Sequence, residues 1–331
     1  MPPYEYNGPV DCETEIKAEG LRAKTAIVTG GANGLGEAYV RALQCLVVIG
    51  DLDAAKGRQL EQELSGVRFV KCNTTVWEKQ RALFREAASL SWDGRISYVV
   101  AIAGVARKDE VFEHDSMSDE PSKPDLTTID INIKGSLFMA KLAPHYFLKQ
   151  NGEESSSSQQ DTCLVLVGSG AAFLDCPRGP QYQASKWAMR GVMHSLRRTT
   201  HYYGSRVNLI SPWYVKTNIL SEEAFQHVKD VGVEFATVED AGRCLLRILG
   251  DATVNSHQSF ISARKWAPLG FIDLEIDDYS GNDLLQEIQA DQIRPAPIED
   301  GLYGKSSYGY RHHEGMCKSG SRPSDFKTHK F

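Results

Sequence analysis

Short apolar runs alternate with longer stretches of helical period from Lys24 onward. Lys24–Thr29 (KTAIVT), Leu46–Gly50, Val67–Val70, Ile96–Ala101, Cys163–Val167 and Arg206–Ile210 are brief and rich in Val, Ile and Leu. Runs of this kind, bounded by polar or small residues, read as strands buried on both faces. Ser259–Ile261 reads as a last short strand. Between the strands, Glu37–Leu43, Thr75–Leu90, Asp125–Lys149, and Tyr182 to about His201 carry helical spacing. Asp53 suits the N-cap of a further helix starting near Ala54, and Thr237 caps an amphipathic helix to Leu249 with Glu239 and Asp240 in its first turn. Strands alternating with helices predict an α/β protein, a doubly wound parallel sheet of about seven strands. Ligands of such a sheet bind beyond the strands' carboxyl ends.

Four regions break the pattern. Residues 1–22 mix Pro, Gly and acidic residues without period and read as a surface arm. Arg107–Pro124 and Asn151–Asp161 (NGEESSSSQQD) read as polar loops. From Lys265 to Phe331 acidic residues and then Gly, Ser, Pro and Tyr follow without period, which predicts an extension, mostly disordered or else a lid or subunit arm. The expected organisation is an arm over 1–22, a central domain over 23–264 holding both cofactor and substrate sites, and an extension over 265–331.

Composition narrows the partners. A net charge of −6 with 24% charged residues argues against nucleic acid or an anionic membrane. No apolar run reaches membrane-spanning length, and the first residues lack a signal peptide's basic and apolar regions. The seven cysteines are scattered and never spaced as a metal or redox pair. A reducing compartment, the cytoplasm, fits best. His312-His313 in the tail reads as solvated loop, and no metal is expected.

The candidate chemistry lies in two stretches. Lys24–Thr29 runs into Gly30-Gly31-Ala32-Asn33-Gly34-Leu35-Gly36 and then into helical pattern. Strand, glycine loop and helix together mark a dinucleotide site of Rossmann type, since glycines permit close backbone approach and the helix N-terminus offers free N–H groups. Asp51, at the end of the second strand, would accept hydrogen bonds from an adenosine ribose and repel a 2′-phosphate, favouring NAD over NADP. The second stretch runs from Ser169 to Lys186. Tyr182 and Lys186 share a helix face about 6 Å apart at Cβ. A neighbouring ammonium favours phenolate, so Lys186 is expected to draw the phenol's pKa toward the working range. Ser169 would stand at a strand's end, where its hydroxyl can bond a substrate oxygen. Asn132, a poor helix former within a long helix, reads as a surface residue or as a kink or water-binding point.

Over roughly residues 20–264 the chain resembles the short-chain dehydrogenase/reductase family. The likeness rests on T-G-x-x-x-G-x-G at Thr29–Gly36, Asp51, Asn132, Ser169, Tyr-x-x-x-Lys at Tyr182/Lys186, and the Pro212…Thr217 loop. It looks closest to the 15-hydroxyprostaglandin dehydrogenase branch. The resemblance implies that Tyr182 is the acid/base and that Ser169 positions the substrate oxygen. Lys186 would tune Tyr182 and bind the nicotinamide ribose, and Asn132 would hold a relay water. It further implies that Gly30, Asn33, Gly34, Leu35 and Gly36 line the pyrophosphate side, with Asp51 at the ribose and Asn73 and Thr74 at the adenine. Ala103 and Gly104 would let the cofactor pass, and Val215 and Thr217 would meet its nicotinamide end. In relatives the two long helices pair across subunits, so a homodimer or homotetramer is expected.

Four departures from the family pattern bear on cofactor binding. Ala101-Ile102 stands where the family has two asparagines, Trp213 where it has glycine, and Asn73 where it has aspartate. The helix after the glycine loop is about three residues short, which could shift Asp51 from the pyrophosphate. The reading is an NAD-linked alcohol dehydrogenase or ketone reductase acting on a small to medium apolar molecule, with Phe173, Leu174, Trp213 and Tyr214 near the site. The alternatives are a non-catalytic dinucleotide-binding scaffold, and non-redox chemistry on the same fold.

Overall fold

A computed structural model describes residues 4–16, 18–114 and 118–294. The strands are β1 Thr25–Thr29, β2 Leu46–Asp51, β3 Val67–Lys71, β4 Tyr98–Ala101, β5 Thr162–Val167, β6 Ser205–Pro212, β7 Gln258–Ile261 and β8 Phe271–Asp273. They form one sheet in the order β3-β2-β1-β4-β5-β6-β7-β8, parallel throughout except for the antiparallel pair β7–β8. The helices are α1 Gly34–Ala42, α2 Ala54–Glu63, α3 Trp77–Leu90, α4 Thr127–Ile129, α5 Ser136–Asn151, α6 Pro180–Leu196, α7 Glu222–Asp230, α8 Val238–Leu249 and α9 Asp283–Ile293. A widened π segment, Asp130–Gly135, joins α4 to α5, and α5 continues through Pro144 without a break.

Strand residues alternate between two cores, as a two-period element must when both faces are covered. Ala26, Val28, Val47, Ile49 and Val165 meet α1, α2 and α8, while Ile27, Val48, Val99 and Leu164 meet α3, α5 and α6. Strand order reverses between β1 and β4, so the crevice beyond these strands is where such a sheet binds its ligand.

The doubly wound sheet is as expected, and among the described residues the chain beyond residue 264 returns to it as β8, its eighth strand. Pairing of Phe271–Asp273 with Ser259–Ile261 satisfies β7's outer edge and buries Phe271. Of the extension, residues 265–294 are therefore partly built into the sheet, and residues 295–331, His312 and His313 included, lie outside the described residues. The described part of the N-terminal segment is tied to the sheet and its helices. Tyr4 is buried with its ring 4.6 Å from the Arg197 guanidinium, and its hydroxyl bonds Asp278. Val10 N donates to Asp273 Oδ2 at 3.1 Å, and Arg247 Nε to Asp11 O at 3.0 Å. The arm thus satisfies polar groups on β8, α8 and the segment after β8. No helix among the described residues is long and apolar enough to cross a membrane.

Candidate active site

A cleft of about 1020 Å³ opens beyond the carboxyl ends of β1, β2, β4, β5 and β6. Its floor is the glycine loop. Gly30 has φ +67°, and a Cβ there would stand 2.8 Å from Ala103 Cα. A Cβ on Gly36 would stand 2.0 Å from Gly30 O. The glycines therefore let β1, β4 and α1 converge, leaving the N-terminus of α1 facing the cleft. This cradle fits a pyrophosphate and its flanking riboses. Thr217 comes down on the loop from the other side, its Cβ 3.2 Å from where a Gly34 Cβ would be.

Asp51 keeps its place despite the short helix. Its Oδ2 accepts from Ala32 N at 3.0 Å and its Oδ1 from Asp53 N at 3.0 Å, which holds the carboxylate against the glycine loop. The three-residue link after α1 suffices because Leu43 N still closes the helix on Tyr39 O. Asn73 and Thr74 border the same cleft. Asn73 Oδ1 is used locally, accepting from both the amide and the hydroxyl of Thr75. Ala103, Gly104, Asn33, Leu35 and Val215 complete the lining expected of the cofactor side. Ala101 and Ile102 brace the region through packing alone, one in each core.

At the far end stand Ser169, Tyr182 and Lys186. Ser169 opens a short turn after β5, its Oγ accepting from Ala171 N at 3.2 Å, and its hydroxyl stands beside the Tyr182 phenol. Tyr182 and Lys186 project from α6 on one face, with Lys186 Nζ 5.5 Å from the phenol ring centroid. Lys186 is 7% exposed and donates to Val167 O at 3.1 Å.

The electrostatics run against the expected lowering of the phenol by Lys186. Burial raises the Tyr182 pKa above its ordinary value, the nearby Ser169 hydroxyl opposes this, and Cys176 and Tyr214 add to the rise. Burial likewise lowers Lys186 from 10.5 to about 8. Both groups sit in a low-dielectric wall, and each is pushed toward its neutral form.

That shift has a testable consequence for stability. The unfolded chain holds the Lys186 proton up to about pH 10.5, whereas the folded chain releases it near 8. Stability therefore rises with pH across that window, and the cost of charging the buried amine is fully present below it. A shift of this size corresponds to about 3 kcal/mol, less about 1 kcal/mol for the hydrogen bond to Val167. Lys186→Met should accordingly be more stable than the parent in urea melts at pH 7, with the gap closing by pH 10.5. A variant no more stable than the parent at pH 7 would refute this account.

Asn132 is the one expected site residue that does not border the cleft. It is 2% exposed within the π segment. Its Oδ1 accepts from Val105 N at 2.9 Å, and its Nδ2 donates to Val105 O at 2.9 Å and to Ser185 Oγ at 3.0 Å. Its side chain is thus fully engaged by protein, pinning the strand-exit loop to α6. Ser185, which passes this bond on to Tyr182 O at 2.7 Å, went unremarked in the sequence. Its only signal there is its place beside Lys186 on the buried face of α6.

The substrate end is apolar and aromatic. Leu174, Trp213, Tyr214, Ile219, Leu220 and Phe225 line it, with Arg107 at the mouth. Phe173 packs instead on Phe260, at 5.4 Å between centroids. Trp213 meets Tyr214, Phe260 and Trp266 edge-on at 5.0, 6.1 and 5.3 Å, and its Nε1 donates to Glu234 O. Glycine at 170 leaves room for that ring, since a Cβ there would lie 3.3 Å from Trp213 Cε3.

Comparison with known proteins gives the family and the fold. The family model described as short chain dehydrogenase matches residues 24–227. The 5′-hydroxyaverantin dehydrogenase of Dothistroma septosporum is 31% identical over 248 residues, 69% of this chain and 80% of that one. The NADP-dependent dehydrogenase clz5 of Cochliobolus lunatus is 34% identical over 208 residues, 59% of this chain and 72% of that one. The crystal structure of 3-ketoacyl-(acyl-carrier-protein) reductase from Brucella melitensis complexed with NADH superposes with a TM-score of 0.61 at 19% identity. It covers 73% of this chain and 97% of that one, and at such identity the likeness is one of fold. With most of its length matched by the family model, the chain belongs to the short-chain dehydrogenase/reductase family, oxidoreductases that bind NAD(P).

Proposed function

We propose that the protein interconverts a secondary alcohol and a ketone on an apolar, ring-bearing molecule, with NAD preferred over NADP. The observation that carries this reading is the meeting of Ser169, Tyr182 and Lys186 with the glycine loop in one cleft. A nicotinamide dinucleotide bound there supplies a hydride acceptor or donor. Gly30, Asn33, Gly34, Leu35 and Gly36 would hold its pyrophosphate, Asp51 one ribose and Lys186 the other. Asn73, Thr74, Ala103, Gly104, Val215 and Thr217 would border its two rings.

Within that frame Tyr182 takes the carbinol proton during oxidation and returns it during reduction. Ser169, beside the phenol, orients the substrate oxygen and meets its developing charge. Because burial keeps the Tyr182 phenol neutral, phenolate must be favoured by positive charge beside it. A charged Lys186 and an oxidised nicotinamide are the available sources. Asn132 acts by holding Val105 and Ser185, and through them the backbone of Tyr182. Trp213 and Tyr214 offer ring edges and faces to a flat substrate. The residues of 23–264 carry both sites in this reading, with 1–22 and the remainder as extensions. The relatives' names point to other substrates, so the reading rests at the level of the family rather than at the prostaglandin dehydrogenase branch.

Cofactor choice turns on Asp51, since the Cochliobolus relative is named NADP-dependent. NAD should raise the thermal midpoint more than NADP at equal concentration. Asp51→Ala should narrow the preference by roughly tenfold or more, the size of one lost charge-assisted hydrogen bond. Equal midpoint shifts with both dinucleotides in the parent would overturn the NAD assignment. No shift with either would remove the dinucleotide reading itself.

A further inference from the structure

The helix that carries Tyr182 starts without a cap of its own. Its N-cap is Gly179, which has no side chain, and Pro180 follows with no N–H to offer. The next amide, Gln181 N, is one of the donors that a helix start leaves orphaned. Here it donates to Asp109 Oδ2 at 2.6 Å, from a loop 72 residues earlier in the chain. Gln181 is 5% exposed, and its Nε2 reaches both Asp109 Oδ1 at 3.3 Å and Asp125 O at 2.9 Å. A carboxylate at a helix N-terminus is also favoured by the helix dipole.

The same loop is fastened to α6 at a second point. Val105 is held by Asn132, whose Nδ2 reaches Ser185 Oγ, and Ser185 in turn bonds Tyr182 O. Residues 105–109 therefore form a brace with both ends bonded around Tyr182: one through Asn132 and Ser185 to its carbonyl, the other through Asp109 to the amide just before it. Val105, Ala106 and Arg107 of this brace border the cleft. The position of the cleft wall and the position of the phenol are thus set by one closed circuit of hydrogen bonds.

We infer that Asp109 is a positioning residue that caps α6 from outside and holds the Tyr182 hydroxyl in register with Ser169. It touches neither substrate nor cofactor. Its effect is to fix the first turn of α6, and misplacing a reacting group by about 1 Å costs on the order of 100-fold in rate. This inference rests on Tyr182 being the acid/base.

The test compares Asp109→Ala, Asp109→Asn and, as a loop control, Glu110→Ala, which removes the bond to Asp125 N but leaves both bonds from Gln181 to Asp109 in place. The probes are indanol and tetralol as secondary alcohols with NAD. Three quantities are read: kcat and KM, NADH affinity by fluorescence, and amide hydrogen exchange of residues 180–186. Asp109→Ala should lower kcat roughly 10- to 100-fold, leave NADH affinity within about twofold, and speed exchange in 180–186. Asp109→Asn, whose amide oxygen still accepts from Gln181 N, should recover most of both losses, and Glu110→Ala should show neither. The inference is overturned if exchange in 180–186 is unchanged by Asp109→Ala, or if Glu110→Ala matches it in both rate and exchange. If the parent turns over neither alcohol, the exchange measurement still decides the role of Asp109, and it is the oxidoreductase reading that fails on these probes.

Discussion

Tyr182→Phe should lose roughly 100- to 10,000-fold in kcat, the span expected when a positioned acid/base is removed. NADH affinity should stay within a few-fold and the fold should be intact. The substitution deletes one oxygen and keeps the ring that packs over Lys186 at 5.5 Å. The phenol is neutral in folded and unfolded chain alike below pH 10, so its raised pKa does not affect stability at pH 7, and stability should hold. The Ser169 hydroxyl beside it borders an open cleft where water can take the place of the lost oxygen. NADH formation from indanol or tetralol measures the rate, and NADH fluorescence the affinity. Turnover close to the parent's would strip Tyr182 of its role. Loss of NADH binding would mean that the hydroxyl shapes the cofactor site rather than moving a proton. A parent with firm NAD binding and no turnover on any alcohol would instead favour the scaffold reading.

Gly36→Ala should abolish the stabilisation that NAD confers and lower the thermal midpoint without cofactor by several degrees. Two effects of opposite sign compete. Alanine is favoured over glycine inside a helix by about 1 kcal/mol. Against that, the new methyl would sit 2.0 Å from Gly30 O and 2.7 Å from Gly30 C. These are backbone atoms of the turn that approaches Ala103, so neither side can swing away as a flexible side chain would. Overpacking of this kind costs about 1–3 kcal/mol and more where backbone must shift, so the clash wins. Relief would come by moving α1 off the glycine loop, which opens the cradle for pyrophosphate. Thermal melts with and without NAD read both consequences. A variant that melts with the parent and still gains stability from NAD would show that this packing is not what forms the site.

Most of the site was legible because its motifs are local. A strand, a glycine loop and a helix start are contiguous in sequence, so TGGANGLG could be placed on structure without any long-range contact. The same holds for Tyr182 and Lys186, whose relation is set by helix geometry alone. Asp51 follows from its strand end, and the structure adds its bond to Ala32 N of the glycine loop. What stayed hidden involves partners far apart in the chain. Asp109 sits in a segment with neither helical nor strand period, and nothing near it announces a helix start beyond residue 179. Asn132 reads from sequence as a surface residue or a kink or water-binding point; the structure buries it, and its direction depends on Val105 and Ser185 standing on either side of it. Strand β8 is three residues long and recognisable only by the edge it pairs with.

The apolar runs, the glycines and the Tyr-x-x-x-Lys spacing together determine the doubly wound sheet and the chemical type of the cleft. Each of these is a property of a few consecutive residues and of the period they keep. Tertiary structure alone decided which way Asn132 faces, what caps α6, and how the arm at 4–16 fastens to β8 and the segment after it. It also decided that burial, rather than Lys186, dominates the titration of Tyr182. Those outcomes depend on the local dielectric and on which donors and acceptors meet across long stretches of chain, and neither quantity exists until the sheet and its helices have closed together.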